Sequence, residues 1–383
     1  MGLFSAGDHT TSRRRFGLLP RALAACLALL STQALAVEVT DVLGRQVDVP
    51  ETPQRIVLGE GRLFYALALL DKEDPFKRVV GWQNDLRLLD PHTFAVYGER
   101  FPDINEIPLI GQASEESVSA EQILSLHPDL AIFSIAGEGP TQHSPVADLL
   151  EAAGIPVLFI DFRVHPIKNA HVSLTALGAI LDKRDEANDY LAFYDEHLAA
   201  IRDHVDELTD DERPDVFMEL LPLVWQAPGH TTGKSGMGDI IEAVGGHNIA
   251  ADVVPGALGD VNVEYVLQAD PDVYIATGNR APGLLLGADV SQATARESFE
   301  KVLARPEFHD LRAVRDGNAH ALWHDFYNSP YNILAIEAMA KWIHPERFGE
   351  LDVDATRDAL NDFLTLPLQG TYWLDQATDT PES

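Results

Sequence analysis

The sequence predicts an α/β protein of two Rossmann-like lobes, each with a central, mostly parallel sheet, joined by a long backbone helix. Three observations predict it. Short apolar strand-like segments alternate with helical stretches, and the alternation restarts after Pro214, as expected of parallel sheets covered on both faces. Between the two runs, residues 167–208 carry apolar side chains at helical spacing, from Leu174 and Leu177 through Tyr190, Leu191, Tyr194, Leu198 and Ile201. A segment also occurs twice, once on each side of that helical stretch: VSAEQILSLHPDLAI (118–132) and VNVEYVLQADPDVYI (261–275).

The elements follow in chain order. Val37 to Val49 alternates around Leu43-Gly44-Arg45 and reads as a small hairpin. Strands are expected at Arg55–Leu58, Val79–Gly81, Ala131–Phe133 and Val157–Ile160, with a helix from Leu63 to Leu70. The second part of the 167–208 stretch lacks Gly and Pro for about 25 residues, longer than a usual globular helix, and is read as a rigid rod between lobes. Beyond it come strands at Val216–Met218 and Val273–Ala276 and helices at Met237–Val244, Tyr331–Trp342 and Ala355–Leu364. In each repeat a capping residue (Ser119, Asn262) opens a short amphipathic helix, a Pro-Asp pair ends it, and a strand of β-branched character follows. The expected organisation is a signal peptide over 1–36, an N-terminal lobe over 37–165, a helical spine over 166–210 and a C-terminal lobe over 211–383.

The first residues read as an export signal. Arg13, Arg14, Arg15 and Arg21 precede an apolar run from Ala22 to Leu30, and Ala34-Leu35-Ala36 is a small-residue cleavage pattern, with cleavage expected after Ala36. SRRRFGL (12–18) resembles the twin-arginine consensus, which implies export of a folded chain. The one cysteine, Cys26, lies inside this segment, so the mature chain is expected to have neither disulfides nor a thiolate ligand. A net charge of −32 from 60 acidic and 28 basic residues repels nucleic acid and anionic membrane surfaces and points to a saline medium. The acids are scattered and read as a solvated surface. The loop GHTTGKS (229–235) has three residues between its glycines, where a phosphate-binding loop needs four.

TDVLGRQVDVPETPQRIV, SAEQILSLHPDLAIF, GDIIEAVGGHNIA, VEYVLQADPDVYIA and DGNAHALWHDFYNSPYNILAIEAMAKWIHPERF, in this order and spacing, resemble the periplasmic binding proteins for iron-siderophores, haem and cobalamin, over roughly residues 38–350. The resemblance implies the solute-binding component of an ABC importer, located in the periplasm. It is expected to be a monomer with no intrinsic cofactor, to capture a chelated metal, a ferric siderophore first and haem or cobalamin as alternatives, and to deliver it to transmembrane permease subunits driven by a cytoplasmic ATPase. In that family a glutamate at the tip of each lobe docks onto permease arginines, and the repeat places Glu121 and Glu264 at those positions. A secreted hydrolase is the reading from another class. It lacks support, since no G-x-S-x-G elbow or H-E-x-x-H pair is present.

Ligands of open α/β sheets lie beyond the carboxyl ends of the strands. From the first lobe this nominates Arg62, Trp82 and Arg87, with Gln112 and the loop 134–139; from the second, Trp225, His230, Arg280, His324, Phe326 and Tyr327. Guanidinium groups at Arg62, Arg87 and Arg280 suit the oxygens of an anionic ferric chelate. Trp82, Trp225, Phe326 and Tyr327 offer flat contact area. His230, His324 and Tyr327 are candidate metal ligands for a chelate with open coordination positions, imidazole and phenolate both being iron ligands.

Overall fold

The computed structural model describes residues 36–376 apart from Gln226. The signal reading of 1–36, with Cys26, falls outside the described residues except at Ala36. Among the described residues no helix is long and apolar enough to cross a membrane.

β1 (Ala36–Thr40) and β2 (Gln46–Pro50) form the antiparallel hairpin that the alternation predicts. Its turn is fixed by Asp41, whose carboxylate accepts from the backbone N–H groups of Leu43 and Arg45, and by Gly44 at φ +75°. The first lobe is built on β3 (Ile56–Leu58), β4 (Val79–Gln83), β5 (Leu109–Gly111), β6 (Leu130–Ser134) and β7 (Val157–Ile160). These lie in the order β5-β4-β3-β6-β7, all parallel. The chain reverses direction across the sheet between β3 and β6, so the loops after these two strands open the crevice where ligands bind in such sheets. Helix α1 (Phe64–Leu70) follows β3 and is buried throughout.

The second lobe carries a mixed sheet. β8 (Asp215–Leu220), β9 (His230–Thr232), β10 (His247–Asn248), β11 (Leu258–Asp260), β12 (Val273–Gly278), β14 (Ala319–Trp323) and β16 (Trp373–Asp375) run in the order β11-β9-β8-β12-β14-β16, with β10 beside β8. A small pair, β13 (Gly287–Ala288) with β15 (Gly370–Thr371), lies off this sheet. β8, β10, β12 and β14 are parallel; β9 is antiparallel to both of its neighbours, β8 and the edge strand β11, and the other edge strand, β16, is antiparallel to β14.

The sequence repeat is a structural repeat. α2 (Ala120–Ser125) is capped by the Ser119 hydroxyl, which accepts from Gln122 N–H at 3.2 Å, and its counterpart in the second lobe, residues 263–269, by Asn262, which accepts from Glu264 N–H at 2.8 Å. Each helix ends at a left-handed residue before proline, His127 (φ 49°) and Asp270 (φ 44°). The aspartate after each proline then ties the unit to a neighbouring strand. Asp129 accepts from Gln54 and Arg55 N–H at 2.8 and 2.9 Å, and Asp272 accepts from Asp215 N–H at 2.9 Å. The Pro-Asp pair is therefore a stop followed by a clamp.

The link between lobes differs from a single rod. α3 (Pro166–Leu181) and α4 (Arg184–Val205) are two helices folded back on each other. The chain reverses at Asp182, in the left-handed conformation (φ 59°). A Cβ at Gly178 would come within 2.7 Å of the Ala187 methyl, so the glycine permits the close crossing, and His171 Nε2 meets Asp195 at 2.7 Å farther along. α3 packs on β1 and β7 of the first lobe and on α5 (Met237–Ala243) of the second. α4 packs on α6 (Ile333–Ile343) in the second lobe, where His197 meets the buried Glu337 at 2.6 Å. The uninterrupted helix is present at α4, but α3 spans the two sheets.

Candidate functional site

The strand ends of both lobes converge on a closed seam of charged side chains. Arg62, in the short helical turn after β3, is 1% exposed. Its Nε donates to Asp85 at 3.0 Å, and its Nη1 donates across the seam to Asp325 at 2.9 Å and to the Tyr327 hydroxyl at 3.3 Å. Its Nη2 donates to Glu138. Asp85 also accepts from the Gly61 backbone N–H, and Asp325 from Asn279 Nδ2 at 2.6 Å. Arg163, just beyond β7, donates from Nη2 to Glu60 at 3.0 Å and Glu138 at 2.9 Å, and its guanidinium lies 4.9 Å from the centre of the Tyr327 ring. His165 reaches Asp239 of the second lobe at 2.9 Å.

Burial and pairing set the protonation states. Burial pushes Glu60 up to about 8, outweighing the opposing pull of Arg163, so it holds a proton at neutral pH. Burial also acts to raise Glu138, but Arg163 and Arg62 win and hold its carboxyl well below the usual range. Glu138 is thus the ionised member of this pair. His324, buried on the cavity wall, is pushed down to about 3 by desolvation and is neutral, and burial raises Tyr327.

Beside the seam lies a cavity of about 240 Å³. Its first-lobe wall includes Gly137, Glu138 and Arg163; its second-lobe wall includes Leu220, Met237, Leu258, His324 and Tyr327. The two lobes are in contact here and enclose this cavity between them.

The structure sorts the sequence-nominated residues. His324 and Tyr327 come together on the cavity wall, ring centres 4.8 Å apart. Arg62 is in the seam, but its N–H groups are taken by carboxylates and the Tyr327 hydroxyl, because four acids surround one buried guanidinium. Arg280 also reaches the seam and donates to the Leu89 carbonyl at 3.2 Å and the Asn279 amide at 2.8 Å. Arg87 lies elsewhere, its guanidinium over Phe94 at 4.5 Å and its Nη2 on Asn105. Trp82 is a core residue, packed against Phe76 (5.6 Å) and Phe94 (6.4 Å), because its strand position points into the lobe. Phe326 is fully buried against Trp323 at 5.0 Å. Trp225, 50% exposed, stacks on His230 at 4.5 Å, and His230 binds Asp260 at 2.8 Å; neither lines the cavity. The nominated metal ligands His230, His324 and Tyr327 therefore do not assemble. Among the described residues no group of three or more His, Cys, Asp or Glu side chains is arranged to hold a metal ion. Glu121 and Glu264 are exposed in the first turns of their repeat helices.

Sequence reasoning missed Glu60, Asp85, Arg163 and Asp325 as partners. Arg163 stands just past a strand end, so the rule that nominated Arg62 also reaches it. The pairing of Arg62 with Asp325 leaves no local signal, since 263 positions separate them.

The family model for periplasmic binding proteins matches residues 93–322. The cobalamin-binding proteins of Halobacterium salinarum strains R1 and NRC-1 are each 28% identical over 250 residues, covering 64% of this chain and 60% of theirs. The chain thus aligns to less than two thirds of those relatives' length. The TroA-like periplasmic binding protein FepB from Veillonella parvula superposes with a TM-score of 0.78 at 22% identity, covering 89% of this chain and 100% of that one. The Haemophilus influenzae molybdate-binding protein MolA, bound to molybdate, superposes at 0.66 with 18% identity, covering 86% and 98%. These likenesses establish the two-lobed fold.

The protonated Glu60 generates a pH dependence. Its folded-state value lies above its ordinary 4.5, so the folded chain carries a proton that the unfolded chain releases between pH 4.5 and about 8. That contribution is fully present below 4.5 and is lost as pH rises through about 8. Thermal unfolding from pH 5 to 8 at fixed salt is expected to show falling stability in the native chain and a flatter profile in Glu60→Gln. Parallel profiles would mean that Glu60 is ionised in the fold.

Proposed function

Given that this chain belongs to the periplasmic binding protein family, we propose that it is the solute-capturing component of an ABC importer and that its solute is a corrinoid of the cobalamin class. The observation that carries this reading is that the buried guanidiniums of the seam are already ion-paired. An anionic ferric chelate calls for unpaired cations in the cleft. The charges of the cleft arginines Arg62 and Arg163 are already offset by Glu60, Asp85, Glu138 and Asp325, although Arg163 donates to them through Nη2 alone, and Arg280, which meets no carboxylate, does not line the cavity. A further anion would have to displace a buried carboxylate from its guanidinium, at a cost of about 3–5 kcal/mol. The carboxylates of haem meet the same obstacle. An uncharged ring periphery does not, and the cobalamin-binding relatives support the same choice. The site is one of capture, and no step of catalysis is assigned to it.

An extracytoplasmic location follows from the family and accords with the export signal read in the sequence. Glu121 and Glu264 are the proposed permease contacts. They occupy equivalent positions on helices beside different sheets, each exposed, so two carboxylates at a fixed separation can meet two cationic pockets.

Two outcomes test the reading. Cobalamin at a hundredfold excess over its Kd is expected to stabilise the fold by about 2.7 kcal/mol through mass action, read as a raised melting temperature, while ferric siderophores and haem leave it unmoved. Stabilisation by a ferric siderophore alone would reverse the assignment. Glu121→Arg combined with Glu264→Arg is expected to abolish uptake into vesicles carrying the permease while leaving solute affinity intact. Unchanged uptake would remove the docking role.

A further inference from the structure

We infer that the interlobe cavity grips an uncharged carboxamide substituent of the solute, held between Glu138 of the first lobe and His324 of the second. The inference rests on the corrinoid reading above and specifies which part of the solute the cavity takes. At about 240 Å³ the cavity falls below the roughly 300–1,000 Å³ of sites that enclose a whole drug-sized ligand, so it suits a substituent rather than a macrocycle.

Two polar groups converge on this space with opposite hydrogen-bonding roles. Both guanidinium contacts to Glu138 go to Oε2. Its side chain keeps 28% exposure beside partners that are almost wholly buried, Oε1 has no protein N–H donor among the described residues, and a hydrogen bond from the protonated Glu60 carboxyl still leaves the carboxylate lone pairs to offer. Glu138 therefore offers an acceptor. His324 offers a donor. Its Nδ1 lies 2.9 Å from the Thr277 hydroxyl, which already accepts from the Leu221 backbone N–H at 3.2 Å. In the tautomer in which Thr277 gives its proton to Nδ1, the imidazole proton sits on Nε2, a nitrogen with no protein partner among the described residues. Desolvation, which keeps His324 neutral, prevents it from carrying a second proton.

An acceptor facing a donor complements a primary carboxamide, whose N–H donates to Glu138 and whose C=O accepts from His324. Leu220, Met237 and Leu258 enclose its alkyl stem. A carboxylate in the same place would set a second anion against Glu138, with the charges of the nearby guanidiniums already offset by buried carboxylates. An ammonium would satisfy Glu138 but leave the His324 N–H facing another donor. Amide-bearing corrinoids carry such groups around the ring.

The test uses the full chain and two corrinoids on one ring: the fully amidated form and cobyrinic acid, which bears carboxylates at the same positions. Calorimetric titration is expected to give at least about tenfold tighter binding of the amide, the scale of one mismatched buried hydrogen bond. Glu138→Gln, which supplies an N–H to a carboxylate, is expected to shrink that ratio. Equal binding of the two forms, or a ratio unchanged in Glu138→Gln, overturns the carboxamide assignment alone. Binding of neither overturns the corrinoid reading and this inference with it. His324→Phe keeps a planar ring without the donor and removes no member of the seam's ion pairs. It is expected to weaken the amide about tenfold, and undiminished affinity would contradict the assignment.

Discussion

Where the two sheets end, the carboxylates of Glu60, Asp85, Glu138 and Asp325 share the guanidiniums of Arg62 and Arg163, and the bond from Arg62 to Asp325 crosses from one lobe to the other. The rest of the cleft follows from this arrangement. Burying so many charges is tolerable only if each has a partner, and the acids outnumber the bases. Glu60 lessens the excess by keeping its proton, and Glu138 stays ionised between two cations. The cavity beside them is therefore left with an acceptor, a neutral imidazole and apolar walls.

This seam also suits the composition of the chain. A net charge of −32 places the surface in a strong self-repelling field that salt must screen. Exposed pairs such as Lys234 with Asp252 lose most of their value under such screening, whereas pairs excluded from solvent are screened much less. An interlobe contact made by Arg62, almost inaccessible to ions, can persist where a surface ion pair would not.

Much of the fold was legible because its signals are local. The hairpin at Val37–Val49, the first-lobe strands other than β5 and both repeat helices follow from alternation, caps and the Pro-Asp stop, and Asp129 and Asp272 explain why the repeat retains its aspartate. The reversal at Asp182 was not legible. Aspartate is only an occasional left-handed residue, and helical spacing continues on both sides of it. Of the site, His324 and Tyr327 were reached by the strand-end rule. The same rule misplaced Trp82, which lies within β4, and Phe326, because position at a strand end does not say which face a side chain takes. The role of Arg62 turned on Asp85 and Asp325, and a partner 263 residues distant has no signature in spacing.

The cross-lobe pair is tested most directly by a double-mutant cycle on stability with Arg62→Met, Asp325→Asn and the double variant. If the two groups hold the lobes together as described, their coupling energy will be about 1.5 kcal/mol or more, in the range found for close buried charge pairs. Effects that simply add, to within about 0.5 kcal/mol, would show that Arg62 and Asp325 do not depend on each other and would contradict the account of the seam.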